Sequence, residues 1–590
     1  MSEELDFLIK NASIVDGSGA PSYPGSVGIR GDRIAAIVEG EGGRLDAREV
    51  VDARGLTAIP GIIDVHNHAD LSILYYPEAE SFLRQGITTF VGGLCGDTPG
   101  PYNDEYVGEP WFLWDIYDDL SSYMYYRDWL LPRDAVNARH EEVYGWGIDW
   151  STMGEFFKRV EERGLSPNYV PQVGHGDIRS MVMGPDFKRE ATKAEVREMA
   201  EHVEAAMEEG CRGLSVGRDY EPGFYAEIEE LVSCAEVAAR YGGVYSSHCL
   251  FMGPPRVRKP TERPPPRLDG VLEAIEVGKR AKISVQISHI SPLYPTGPGE
   301  SEIMKEASVK ATFKVIEDAR AEGIDVNYDV IPNHETGGIF TSSWLVWLLA
   351  PWMRVSGTRE RLAENLRMKE FRSEIKETIM AGKWNMLNPN LFKEWSSQRY
   401  VVSCSNEEFV GKNIKEVSEA LEIDDVDALL EIIAQDPYTK IVRRVKDEST
   451  KLMLFAHPEG MIGVDTFATD DKYELRSPPW MLPNENGYGG FPRYFRRMVR
   501  ETKMLTLEEA VRKVTSLPAR KFKLRDRGLL KSGAFADITI MDPSTIADQG
   551  DQLNPRRYPK GIEYVFVNGR MVVNKEGHTG DKPGKILYRE

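Results

Sequence analysis

Residues 56–71 read LTAIPGIIDVHNHADL, an apolar run that ends in His66 and His68, set one residue apart. In an extended strand, residues i and i+2 face the same way. Two imidazoles at this spacing therefore converge just beyond the strand terminus, as a divalent metal site requires. A His-x-His pair alone is weak evidence, because such pairs arise by chance and exposed ones often bind nothing. The Pro60-Gly61 turn before the run, the strand itself and several residues further along the chain strengthen it.

Moving outward, seven more apolar runs follow: GITTFVGGLCG, PNYVPQVGHG, GCRGLSVG, GGVYSSHC, AKISVQISHIS, GIDVNYDVIP and GMIGVDTFATD. Amphipathic stretches such as TKAEVREMAEHVEAAMEEG and YAEIEELVSCAEVAARYG lie between several of them, with apolar positions at helical spacing. Eight strand-helix units predict an α/β fold, a metal-dependent (β/α)8 TIM-like barrel whose catalytic residues project from the C-terminal strand ends. The two ends of the chain have a different texture. FLIKNASIVDG, SVGIRGDRIAAI and VVDARGLTAI at the start, and GAFADITIMDP and GIEYVFVNGRMVV at the end, are β-rich and broken by Gly and Asp. They predict either two separate hairpins or one small β-sandwich domain built from both termini, residues 1–58 and 518–590, flanking a barrel over 59–517.

Three segments interrupt the barrel pattern. Residues 99–150 are loop-like and crowded with aromatics, which suits packing, a contact in a homo-oligomer, or a lid. Residues 252–268, MGPPRVRKPTERPPPRL, read as a Pro-rich basic loop that cannot be helical. Residues from about 333 to 450 read as a mostly helical cap insertion.

At 590 residues the chain has room for two or three domains and a large core. Its net charge of −20, from 93 acidic against 73 basic residues, argues against nucleic acid, whose phosphates need a basic surface. The acidic start MSEELDFLIK shows no signal peptide, and no run of about 18 apolar residues could span a bilayer, so no membrane partner and a cytoplasmic location are expected. Five scattered cysteines imply no disulfide framework.

One of them, Cys95, closes the second apolar run between glycines. A buried cysteine is usually an inert small hydrophobe, but here a thiolate could approach a metal closely. His248 and His289 each close an apolar strand, where a charged imidazole is costly unless paired, and are better explained as ligands than as core residues. Neutral imidazole and thiolate together suit zinc. Asp465 is the remaining acid aimed at the same rim; Asp is common in caps and turns, but here it is placed to move a proton between water and a leaving amine. His175, in VGHG, reads as the end of the third strand and as support for the ligands. His140, His202, His334, His457 and His578 carry no comparable context.

The sequence resembles the amidohydrolase superfamily, and within it the N-acyl-D-amino-acid deacylases (D-aminoacylases). Nearly the whole chain carries the resemblance, through PGIIDVHNH, GITTFVGGLCG, PNYVPQVGHGDIRSMVMG, GLSVGRDYEPG, GGVYSSH, ISH, MIGVD, GYGGFPRYFRRMVR, the stretch from Thr506 to Pro543, and VFVNGR. It implies a β-sandwich beside a distorted barrel, one tightly held zinc on Cys95, His248 and His289, and a second divalent metal position involving His66 and His68. Asp465 would be the catalytic acid/base, and a small-molecule amide the substrate.

The chain also departs from that pattern. His248 is followed by CLFMG, where the family has an element containing Arg and Glu. Ser291 stands where a Lys is common, and Asn484, Glu485 and Asn486 stand where a His-Pro-Arg triplet is usual. Those two cations are expected to hold the substrate carboxylate, which needs a charged partner in a closed pocket. Ser291 and Asn486 thus become candidate substrate-binding residues. Arg179 and the loop cations Arg256, Arg258, Lys259, Arg263 and Arg267 are candidate replacements. The departures leave open a hydrolase of a cyclic amide, a carbamate or a neutral amide, and a non-catalytic binding protein of the same fold.

Overall fold

The computed structural model describes residues 4–40, 45–107, 130–219, 221–250, 267–290, 302–333, 342–384, 387, 389, 394–444, 449–472 and 483–589. The chain opens with β1 (Leu5–Ile14), β2 (Tyr23–Arg30), β3 (Arg33–Glu39), β4 (Ala47–Asp52) and β5 (Thr57–Pro60). There follow β6 (Ile62–Asp64), β7 (Ile87–Gly92) and a short antiparallel pair, β8 (Tyr106–Val107) and β9 (Leu131–Pro132). Next come β10 (Asn168–Pro171), β11 (Val173–Gly174), β12 (Gly213–Gly217), β13 (Val244–His248), β14 (Ser284–Ile287) and β15 (Val326–Val330). The series ends with β16 (Ser342–Trp344), β17 (Arg399–Ser403), β18 (Lys440–Arg443), β19 (Gly460–Ile462), β20 (Ile538–Met541), β21 (Ile562–Val567), β22 (Arg570–Asn574) and β23 (Gly577–His578).

Both ends of the chain contribute to one nine-stranded sheet, because β5 pairs antiparallel with β20. Separate hairpins are thereby excluded. The alternation that marked these strands buries Phe7, Ile9, Ala12 and Ile14 of β1 against Val27, Ile538, Ile540 and Phe566.

The central strands are parallel and run in two sheets, β6-β7-β10 and β11-β12-β13-β14-β15-β19. The third apolar run is thus not one strand. Pro171 has no N–H for a ladder, and the Gln172 N–H goes instead to the Gly92 carbonyl, so pairing switches from β7 to β12 across this break. Helices between the strands follow their sequence signals. Lys193–Glu208 starts at a capping box made by Thr192 and Glu195, and turns Met199, Val203, Ala206 and Met207 inward. Among the described residues no helix is long and apolar enough to cross a membrane.

The region between β15 and β19 is less helical than its pattern predicts. Besides helices such as Lys369–Met380 and Asp425–Gln435, it holds a three-stranded antiparallel sheet, β16-β18-β17. The short segments RYVVS and KIVR that form it are rich in β-branched residues, a signal outweighed in the sequence by their helical neighbours. In the aromatic segment, residues 108–129 lie outside the described part, while Tyr75, His140, Tyr144 and Trp146 pack ring against ring. Residues 251–266 of the basic loop also lie outside it, and a helix begins at Arg267, inside the stretch expected to be loop.

Beyond β19 the chain returns to β6. Val464 N–H donates to Asp64 Oδ1 at 3.2 Å, and Asp465 N–H to the His66 carbonyl at 2.8 Å. Gly463 permits this approach: a Cβ there would lie 2.3 Å from His66 Cβ. Gly463→Ala should therefore cost about 1–3 kcal/mol, as overpacking does. Denaturant unfolding would measure it, and an unchanged midpoint would show that the contact yields freely.

Candidate metal centre and active site

Four histidines, Cys95 and Asp465 meet at the C-terminal ends of these strands. Cys95 Sγ lies 3.3 Å from His66 Nε2, 3.5 Å from His248 Nδ1 and 3.5 Å from His289 Nε2. Asp465 Oδ1 lies 3.4 Å from both His66 Nε2 and His68 Nε2. Three overlapping sets could hold an ion, each with its donor atoms within 4.8 Å of one another: His66, His68 and Cys95; Cys95, His248 and His289; His66, His289 and Asp465. Thiolate, imidazole and carboxylate in this arrangement fit zinc, and Cys95, His66 and His289 are each shared between two of the sets, which suits one ion or two neighbouring ones.

The backbone is bent to bring these atoms together. Cys95, His289 and Asp465 have φ of 58°, 32° and 51°. Left-handed backbone at residues other than glycine costs of the order of 1–3 kcal/mol and persists only where surrounding contacts impose it. Those contacts are visible. Asp329 Oδ1 accepts the His289 N–H at 2.7 Å, and the His66 carbonyl takes that of Asp465. After Cys95, the Gly96 N–H donates to Ser215 Oγ at 2.9 Å, while the Gly96 carbonyl accepts from Gly176. Thr98 N–H donates to Asp177 Oδ2 at 2.6 Å.

The electrostatics match the geometry. Burial would raise the Cys95 thiol, but His66 and His289 pull it well below its ordinary value. Burial would also raise Asp465, and the hydrogen bonds of His66 and His68 reverse this, leaving a carboxylate. Burial lowers His68 and His248, yet Asp465 and Cys95 for the first, and Asp219 and Cys95 for the second, lift each to about 9. The pocket thus stabilises buried anions by surrounding them with positive charge, a task a dication performs directly.

The remaining sequence candidates fall elsewhere. His175 is the first residue of the helix His175–Met183, not the end of a strand, and its Nε2 lies 2.8 Å from Glu230 Oε1. Arg179, one turn on and fully buried, pairs with the same carboxylate and donates to the carbonyls of Phe187 and Arg189. Its hydrogen-bonding capacity thus goes largely to the fold. Asn486 begins a helix laid against the Asp465 segment, since a Cβ at Gly487 would lie 3.1 Å from Thr466 Cγ2. Its Oδ1 accepts the Asn333 N–H at 2.9 Å, and its buried Nδ2 has no hydrogen-bond partner among the described residues. Ser291, Arg256, Arg258, Lys259 and Arg263 lie outside the described residues.

Two acids were missed in the sequence. Asp329, on β15, faces His66 Nδ1 at 3.4 Å, and Asp219, just past β12, faces His248 Nε2 at 3.6 Å. Asp329 carried a weaker signal, a second acid in the seventh run GIDVNYDVIP, nearer than Asp325 to the strand end. Asp219 lies in an irregular loop and carried none.

A profile of the amidohydrolase family matches residues 469–573. Over its full length it is 28% identical to N-acyl-D-glutamate deacylase of Alcaligenes xylosoxydans xylosoxydans, covering 98% of that relative, and 28% identical to D-aminoacylase of the same organism, again covering 98%. The crystal structure of N-acyl-D-glutamate deacylase from Bordetella bronchiseptica, complexed with zinc and a phosphonate inhibitor, superposes with a TM-score of 0.69 at 26% identity and full coverage of both chains.

Two outcomes are expected here. Cys95→Ala should lower the zinc bound per chain after reconstitution, as read by elemental analysis, and unchanged stoichiometry would remove Cys95 from the ligand set. Asp177, raised to about 8 chiefly by burial, keeps a proton in the folded state that the unfolded chain releases near 3.8. Stability should therefore fall as pH rises between those values, and the slope should flatten in Asp177→Asn. An equal slope in both proteins would show that Asp177 is not its source.

Proposed function

We propose that this chain is a zinc-dependent amidohydrolase that cleaves the non-peptide C–N bond of an N-acyl-D-amino acid or a close analogue. The observation that carries this reading is the convergence of Cys95, His66, His68, His248, His289 and Asp465 within one buried cluster. The full-length likeness to two deacylases supports it. The succession of parallel strands, with the chain beyond β19 returning to β6, supports a (β/α)8 barrel over residues 59–517, with a cap at about 333–450. The nine-stranded sheet supports a β-sandwich domain from residues 1–58 and 518–590.

In this reading Cys95, His248 and His289 hold the tighter ion, and His66 and His68 contribute to a second position. Zinc bound there supplies Lewis acidity and brings the pKa of a coordinated water to about 7. Asp465 does the proton work. Held as a carboxylate by the imidazoles around it, it takes a proton from the attacking water and returns it to the departing nitrogen. Water adds to the carbonyl carbon and the C–N bond breaks, so the products are a carboxylic acid and an amine. His175 acts at one remove, tying the helix after β11 to Glu230 beside the Cys95 loop. Asn486, whose buried Nδ2 has no hydrogen-bond partner among the described residues, would donate to the substrate. The alternatives, a hydrolase of cyclic or neutral amides and a non-catalytic binding protein, are not favoured by these full-length relatives.

Asp465→Asn should keep its zinc and lose about 10²–10⁴-fold in kcat, the usual contribution of general acid–base catalysis. Full activity would sink the assignment. Amine release should favour N-acyl-D-amino acids over both their L-enantiomers and the carboxylate-amidated compounds. Preference for the amidated series would mean that Ser291 and Asn486 mark a change of substrate class.

A further inference from the structure

Asp329 touches both halves of the proposed metal centre. It is fully buried at the inner end of β15, where a carboxylate is tolerated only with partners that satisfy it. Its Oδ2 accepts from Gln286 Nε2 at 2.8 Å, which fixes the plane of the group. Its Oδ1 accepts the backbone N–H of His289 at 2.7 Å and at the same time faces His66 Nδ1 at 3.4 Å. His66 is itself fully buried, and its other ring nitrogen, Nε2, is the one that points at Cys95 Sγ and Asp465 Oδ1. The contact is too long and poorly aligned for a hydrogen bond, so Asp329 acts on His66 as a fixed buried negative charge: it favours the proton on Nδ1 and leaves the Nε2 lone pair for a metal. The same oxygen holds His289 in its left-handed backbone, at φ 32°.

The geometry points to Asp329 as a positioning residue that couples the two metal positions: one carboxylate oxygen sets the His66 tautomer and the His289 backbone together. Placing either histidine orients the acceptor used by the other. This inference rests on the metal-dependent reading above.

The test is a cobalt(II) titration of metal-free protein, followed by visible absorption, on wild type, Asp329→Ala, Asp329→Asn, His66→Ala and the double variant His66→Ala/Asp329→Ala. Asp329→Ala should weaken cobalt binding about 10–100-fold, the range typical for loss of a carboxylate behind a ligating histidine. Asp329→Asn should recover most of that loss, because its amide oxygen still accepts the His289 N–H and still presents a negative dipole end to His66 Nδ1, and Gln286 can turn its Oε1 toward the new amide. If Asp329→Ala does not fold, that recovery relative to His66→Ala decides the matter. In the double variant the losses should be less than multiplicative, since part of the effect of Asp329 passes through His66. Wild-type affinity in Asp329→Ala, an Asp329→Asn variant as weak as His66→Ala, or fully multiplicative losses would each overturn the inference while leaving the metal-dependent reading intact. Wild-type protein that binds no cobalt would overturn both.

Discussion

The structure turns on the cost of burying charge. Cys95 and Asp465 are both anionic and both enclosed, a combination that low-dielectric surroundings forbid unless positive charge is brought within a few ångströms. Histidines from three parts of the chain surround them, with His66, His68 and His248 raised above the ordinary imidazole range, and the result is a site shaped for a dication. The strand ends, the bent backbone and the loops around them serve this convergence.

Rigidity is provided from behind the ligands. The Cys95 loop is clipped by Ser215, by the start of the helix at His175 and by Asp177, while His289 and His66 lean on Asp329. The clips come from β12, from the helix His175–Met183 and from β15, and Asp465 is held by the His66 carbonyl, so the three left-handed residues are held by tertiary contacts and not by local preference. Strain of this kind at a site is characteristic of pre-organised centres. It is also the reason the centre occupies the strand termini, where the ladder no longer dictates the backbone.

Around this cluster, two of the side chains expected from the sequence to meet a substrate have distinct surroundings. Arg179, a tempting replacement cation, is committed to Glu230 inside the fold. Asn486 instead keeps a buried amide Nδ2 with no hydrogen-bond partner among the described residues, on a helix laid against the segment after Asp465.

Much of this was legible in the amino-acid sequence. The His66-x-His68 pair, and the recurrence of a histidine, a cysteine or an aspartate at or just past the end of one apolar run after another, point to a candidate metal site because parallel strands end at one rim, although β6 itself stops at Asp64 and the pair lies beyond it. The alternating patterns at both termini likewise announced the terminal strands. What lay beyond the sequence was decided by contacts between distant segments. The break at Pro171 and Gln172, the small sheet in the inserted region, the pairing of Arg179 with Glu230, and the placement of Asp329 and Asp219 behind the ligands all depend on which surface a residue meets after folding. Local sequence determines which residues stand at the strand ends. Only the tertiary structure decides which buried carboxylates support ligands, because that role depends on distances of 3 to 4 Å across the fold and leaves no period in the chain.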